Sequence, residues 1–314
     1  VRVRTITRLG VAVVLAGLVL AVPTTADAAT GCREVAVTDQ ANGGSIRVFD
    51  PASRTWDAST QKWSWKPSAA NGFSAAETAA WSNPSDAKLR RDRHGDYVMV
   101  TSASGGLAAL VAFPSGKRLW AARPGGNTHS VELLPDGNVA TASSTGRYVR
   151  LYAASQGANA SYFAEYTLDQ AHGVYWDPTR NVLWALGYSK LVRLTVGGTA
   201  TKPTLTEAGS WALPDNDGHD LNPKLGSPDR LWITTAHKVF EFSKSQNRAV
   251  AETADANVKS QTTMPNGRVV RTIPKPGFDP SWATDTVTFL NPADSRVVAG
   301  SKIYKARVWS SLRA

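Results

Sequence analysis

The chain has 314 residues, 42% of them hydrophobic, with 25 glycines, 17 prolines, 11 tryptophans and one cysteine. That length can bury a large core, and a single cysteine excludes an internal disulfide, so stability has to come from packing. The formal net charge of +10 is dispersed and comes with no nucleic-acid fold signature, which argues against specific nucleic-acid recognition and toward anionic partners, acidic glycans first among them.

Arg2, Arg4 and Arg8 precede an almost unbroken apolar run from Val11 to Val22, and Ala26-Asp27-Ala28 follows with the small-x-small pattern of a secretory cleavage site. The expectation is a signal peptide over 1–28, cut after Ala28, and a secreted, extracellular domain over 29–314. The apolar run is short for a bilayer span, so the mature chain is expected to have no transmembrane segment. No Leu-x-x-Cys lipoprotein arrangement leads into Cys32. Removing three arginines and one aspartate with the leader lowers the charge from +10 to +8.

Beyond the leader the chain is rich in glycine, proline, tryptophan and β-branched residues, which points to an all-β domain. Alternation predicts strands over 34–38 and 45–49, then 63–65, with a short helical excursion within 71–81. Further strands are predicted at 97–101, 106–113 and 118–120, then at 138–142, 148–152 and 162–166. The same pattern continues at 182–186, 190–194 and 204–207, at 230–234, 238–242 and 249–251, and at 268–272, 286–289 and 296–298. The last candidate is 302–309.

One stretch organises these elements. Asn127-Thr-His-Ser-Val-Glu-Leu-Leu-Pro-Asp-Gly-Asn-Val139 is repeated in plan by Gln170-Ala-His-Gly-Val-Tyr-Trp-Asp-Pro-Thr-Arg-Asn-Val182 and by Asp217-Gly-His-Asp-Leu-Asn-Pro223. Asn257-Val-Lys-Ser-Gln-Thr-Thr-Met-Pro-Asn-Gly-Arg-Val269 keeps the register with lysine in place of histidine. A weaker copy runs from Asp86 to Val98. His129, His172 and Lys259 each fall six residues before a proline; Ala87 takes the same register in the weaker copy, and His219 fits once its longer turn is allowed for.

Short strands repeating about every forty residues are the mark of propeller blades. The expectation is a single all-β propeller of six blades, with the 302–309 segment completing the first blade and closing the ring by pairing N- and C-terminal strands. Seven blades are the alternative, if 53–81 or 275–282 hides an irregular unit. Trp184 and Trp232, on equivalent second strands, are read as packing between blades.

Equivalent positions of successive blades meet around one axis, so His129, His172 and His219 are expected near one channel mouth. Three imidazoles could hold a divalent metal (Mn, Zn, Ca, Fe or Ni), with Asp220 and Gln261 as supporting groups. They could instead act as a metal-free acid–base cluster, with Lys259 and Arg90 holding a carboxylate and Lys259 or Tyr175 as a further base. A third reading is structural: strand-start histidines bonding neighbouring backbones. His94 and His237 lie in other registers and are expected at the surface. No nucleotide or organic cofactor is suggested.

These histidine segments resemble secreted bacterial β-propeller proteins of a family without a settled function. More distantly, a propeller with pore histidines is similar to oligogalacturonate lyases and to propeller enzymes acting on rhamnose–glucuronate linkages. That resemblance implies elimination at a uronic acid, assisted by a histidine-held metal, although those enzymes have seven blades. The expectation is therefore a monomeric, carbohydrate-active lyase acting on an acidic polysaccharide or oligosaccharide. A noncatalytic glycan or cell-envelope binder and a protein-interaction scaffold are the alternatives.

Overall fold

The computed structural model describes Val1 and residues 34–313. The expected leader over 1–28 lies outside the described residues except for Val1, as does Cys32. The chain separates into two units, Val1–Thr30 and Gly31–Ala314, and the fold belongs to the second. Among the described residues no helix is long and apolar enough to cross a membrane.

Strands β1 (Glu34–Asp39), β2 (Ser45–Phe49) and β3 (Gln61–Trp65) come first, followed by a one-turn helix α1 (Ala75–Ala79). Ser74 and Glu77 cap that helix reciprocally. The second blade is β4 (Pro84–Arg91), β5 (Tyr97–Ala103), β6 (Ala108–Ala112) and β7 (Arg118–Ala122). The third is β8 (Thr128–Leu133), β9 (Val139–Ser143), β10 (Tyr148–Tyr152) and β11 (Phe163–Thr167). The fourth is β12 (Gly173–Asp177), β13 (Val182–Leu186), β14 (Lys190–Gly198) and β15 (Pro203–Ala212). The fifth is β16 (Asp220–Pro223), β17 (Arg230–Thr234), β18 (Val239–Ser243) and β19 (Arg248–Thr253). The sixth is β20 (Ser260–Thr263), β21 (Val269–Thr272), β22 (Thr286–Leu290) and β23 (Asp294–Val297), and β24 (Ile303–Trp309) ends the chain.

These make six four-stranded antiparallel sheets, and the first is ordered β24-β1-β2-β3. The C-terminal strand therefore supplies the innermost strand of the first blade, pairing Glu34 with Trp309 and Val35 with Val308. The innermost strands β24, β4, β8, β12, β16 and β20 each touch the next and close into a ring. The protein is a six-bladed propeller. Residues 53–81 hold a single strand, β3, with a short 3-10 turn at Ala69–Asn71 and α1, and 275–282 lies in the connection from β21 to β22, so neither forms a seventh blade.

Apolar side chains fill the seams between blades. Trp184 is fully buried and meets Phe242 of the next blade edge-on at 5.8 Å. Trp232 reaches the next blade differently, donating from its indole nitrogen to Thr263 Oγ1 at 2.7 Å. Burying a large apolar side chain contributes roughly 1.5–3 kcal/mol, and buried apolar clusters join the first blade to the second, the second to the third, the third to the fourth, the fourth to the fifth and the sixth to the first.

A second device locks the innermost strands together. Asp86, Ser130, Asp220 and Ser260 sit at one equivalent position, and each accepts a hydrogen bond from the backbone of the following inner strand. The donors are Val131 N at 3.3 Å, Val174 N at 3.2 Å, Gln261 N at 3.1 Å and Ala306 N at 2.9 Å. Gly173 holds the position in the fourth blade because a Cβ there would come 2.6 Å from Cβ of Leu221. Four of the six inner strands thus carry a short polar side chain at this register, with Gly173 in the fourth blade and Lys305 in the closing strand.

Candidate functional site

Ahead of five of the six inner strands, a residue one to three positions before the strand bends the chain into the ring. Asn83, Asn127, Gln170, Asp217 and Asn257 all adopt positive φ, between 43° and 63°. Asn and Asp tolerate that conformation better than other side-chain-bearing residues, which explains their recurrence here. Two residues on come Ser85, His129, His172, His219 and Lys259, and Tyr304 of β24 fills the sixth place. This corrects the second-blade register. β4 runs two residues further than β8 before its turn, while the bulge between Pro84 and Asp86 has its counterpart between Thr128 and Ser130, so Ser85 occupies the place expected for Ala87.

The structure brings His129, His172 and His219 together at one mouth of the channel. The rings of His129 and His172 stack with centroids 4.2 Å apart, and those of His172 and His219 lie 4.8 Å apart. The hydroxyl of Tyr304 bridges the outer pair, 3.1 Å from Nδ1 of His129 and 2.9 Å from Nε2 of His219. A phenol has one proton, so it donates to one ring and accepts from the other. His172 Nδ1 lies 3.0 Å from the Gln170 carbonyl, which can only accept. A neutral His172 therefore carries its proton on Nδ1 and leaves the Nε2 lone pair unprotonated.

Burial is the main influence on these groups. It pushes His172 down to about 4, with further lowering by Lys305 and Lys259. Burial, together with neighbouring His172, Lys305 and Lys259, also holds His129 and His219 well below the ordinary imidazole value. All three are neutral at pH 7. Tyr304 is driven well above its ordinary value by burial and stays protonated. Lys259 is lowered by burial, with Lys305 acting in the same direction. Among the described residues no carboxylate lies within ion-pairing distance of Lys259, although Asp217 acts on it at longer range.

Below the ring the channel is filled by charge. Arg307 donates from Nη1 and Nη2 to the two oxygens of Asp220, at 2.9 and 2.6 Å, and from Nε to Asp86 at 2.9 Å. Lys305 Nζ also reaches Asp220, at 3.0 Å. Asp220, proposed as a supporting or substrate-binding group, is thus already engaged by two buried cations. Gln261 is buried beside it and bonds Asp220 and Asn222 through its backbone.

Arg90 and Tyr175 lie farther along the channel. Arg90 is five residues past Ser85, about 16 Å along a strand. It forms a two-pronged pair with Glu132 at 2.7 and 2.8 Å. Tyr175, three residues past His172, is fully buried, and its surroundings are Asp177, Glu132, Arg90 and Arg313. The structure therefore brings neither residue to the histidines. His94 and His237 are exposed, as expected. Among the described residues no group of three or more His, Cys, Asp or Glu is arranged to hold a metal, and the stacked rings turn faces rather than nitrogens toward one another.

Three residues of the centre escape notice when the repeats alone are compared: Tyr304, Lys305 and Arg307. Their strand carries none of the Asn-x-His signal and reads only as the closing segment. Setting Lys302-Ile-Tyr-Lys-Ala-Arg-Val-Trp309 beside the inner strands would have placed Tyr304 in the ring and the two cations beneath it.

A closed six-bladed propeller with a ring of polar side chains at one mouth defines the class. Residues 46–311 match a family of unknown function (DUF6528), and the chain belongs to that family. No curated protein matches it. Among solved structures it is similar to a protein of unknown function from Bacteroides caccae, with 11% identity, a TM-score of 0.52, and 86% of this chain and 93% of that one covered. It is also similar to a chain in a crystal structure of the mitotic checkpoint complex, with 10% identity, a TM-score of 0.52, and 76% and 67% covered. At these identities the likeness is one of fold.

Proposed function

We propose that this protein is exported and acts on a uronic-acid-containing polysaccharide or oligosaccharide at the histidine mouth, by β-elimination. One observation carries the reading. Three neutral imidazoles, a protonated tyrosine and Lys259, a cation without an ion-paired carboxylate among the described residues, meet at one end of the channel.

In this reading the sugar carboxylate pairs with Lys259, whose charge favours the negative charge that develops on it. The unprotonated Nε2 of His172 takes the proton on the carbon next to the carboxylate, while the Gln170 carbonyl holds Nδ1–H and so fixes the ring. The electron pair of that C–H bond forms the new double bond. The glycosidic C–O bond breaks, and its oxygen leaves with that bond's pair and takes a proton from the imidazole–Tyr304 chain. A bound carboxylate raises the basicity of His172 from its low resting value, because opposite charge favours the imidazolium. A divalent ion held by all three histidines would require the stack to open, and no step here uses one.

The test is a panel of acidic oligosaccharides followed by absorbance of the unsaturated product. A time-dependent rise that disappears in His172→Ala supports elimination. Binding without product would make the protein a noncatalytic glycan binder, and neither binding nor product would reject the acidic-glycan reading.

A further inference from the structure

The connection from β21 to β22 is unlike its counterparts. It spans residues 273–285, whereas 104–107, 144–147, 187–189 and 235–238 make the same link in the second to fifth blades. Because Ser260 at the start of β20 pairs with Thr272 at the end of β21, this long loop rises from the same mouth as the histidines. It is held by its own backbone bonds, Phe278 N to Lys275 O at 3.0 Å and Ala283 N to Pro280 O at 3.0 Å, and it is tied to the closing strand through Thr284 N and Ile303 O at 3.0 Å.

Between the loop and the ring lies a pocket of about 590 Å³, within the range that receives small ligands. Asn257, Lys259, Lys275, Pro276, Ser281 and Trp282 line it. Lys259 is therefore shared between pocket and ring. Trp282 is 44% exposed, one of the few large apolar side chains left in water. Its indole nitrogen donates to Gln40 Oε1 at 3.0 Å, which fixes the ring at the rim from across the closing blade. Lys275 is neutralised by Asp285 at 3.1 Å, which leaves Lys259 as the lining cation without an ion-pair partner among the described residues.

We infer that this pocket is a subsite for a second sugar of an acidic oligosaccharide, with Trp282 as the stacking face and Lys259 binding the carboxylate at the junction with the ring. Pyranose rings present C–H faces that an indole covers well, and an anchored indole loses little freedom on binding. The pairing of one stacking face with one unneutralised cation selects a chain of at least two residues carrying a carboxylate. A single uronic acid fills only the Lys259 end.

The subsite rests on the acidic-glycan reading, and the test separates the two. Binding of mono-, di- and tetra-uronates would be measured by calorimetry on the full chain, on Trp282→Ala and on Lys259→Ala, with thermal unfolding confirming that each variant is folded. The expected result is tighter binding of the longer ligands. Trp282→Ala should weaken the di- and tetra-uronates about tenfold while leaving the monosaccharide unchanged. Gln40→Ala, which frees the indole without removing it, should give a smaller loss of the same kind. Wild-type binding that Lys259→Ala abolishes and Trp282→Ala leaves unaltered at every length would overturn the subsite and keep the reading. Wild-type protein binding none of the ligands would overturn both.

Discussion

Tyr304 and His219 stand 85 residues apart in the chain, yet Oη of one lies 2.9 Å from Nε2 of the other. The contact exists because the last strand enters the ring beside strands formed much earlier, and it fixes the closing strand to the histidine cluster. Tyr304→Phe removes the hydroxyl and strands a nitrogen on both His129 and His219 where little water reaches. Leaving a buried polar group unsatisfied costs about 1–3 kcal/mol. Urea unfolding should show a loss of that size with an unchanged m-value; equal stability would mean the bridge contributes nothing to closure.

The same cluster makes stability depend on pH. His172 takes its proton near 6.5 in the unfolded chain and near about 4 in the fold. Between those values the unfolded state binds the extra proton, so stability falls as pH falls through that window. A shift of this size corresponds to roughly 3 kcal/mol across the window. His129 and His219 are displaced in the same direction. Asp86 and Asp220, held low chiefly by Arg307 against the effect of burial, and Glu132, held at about 2 chiefly by Arg90, add a later loss once pH drops below the ordinary carboxylate range. Denaturation midpoints from pH 7 to 4 should decline, and less steeply in His172→Gln. A flat profile would show that the imidazoles are not buried as described.

Asp220 is the pivot of the channel, paired with Arg307 and Lys305 and nearly inaccessible. Its replacement by alanine leaves two buried cations short of a partner, a loss of about 3–5 kcal/mol. Replacing Asp220 and Arg307 together by apolar residues of similar volume should restore part of that stability. Chemical denaturation of the two variants decides the matter: if the single substitution costs no more than the double, the Asp220–Arg307 pair is not what holds the channel.

Much of this was legible beforehand. The repeat exposed the blades because five of the six share a left-handed bend ahead of the inner strand and four a short polar residue against the neighbour, and each leaves a residue signature. Ser45–Phe49, Tyr148–Tyr152, Val182–Leu186 and Arg230–Thr234 fall where alternation placed them. The convergence of the histidines followed from blade geometry. What the pattern could not carry was depth along the channel. Arg90 and Tyr175 share the repeat with the histidines but lie further down their strands, where Glu132 claims the arginine. In the second blade β4 runs two residues further before its turn than β8 does, so counting back from that turn missed Ser85 by two. The three residues of β24 were missed because closure places them in the ring without repeating its motif.

Ligand binding should itself move protons. In the free protein His172 is neutral above about 4. A carboxylate on Lys259 sits near that ring and favours its protonated form, raising its pKa in the complex. Between the free and bound values the complex holds the extra proton, so affinity rises as pH falls, until the ligand's own carboxylate is protonated near the ordinary value of about 3.5. Calorimetry of a uronate oligosaccharide near pH 5.5, in two buffers of different ionisation enthalpy, measures the uptake directly. Net uptake is expected in wild type and should vanish in His172→Gln. The metal-free proton transfer proposed for His172 predicts that treatment with a chelator leaves both the affinity and the uptake unchanged. Loss of binding on chelation, restored by added zinc or manganese, would mean that the stack opens around a metal and that the proton transfers assigned to His172 need another base.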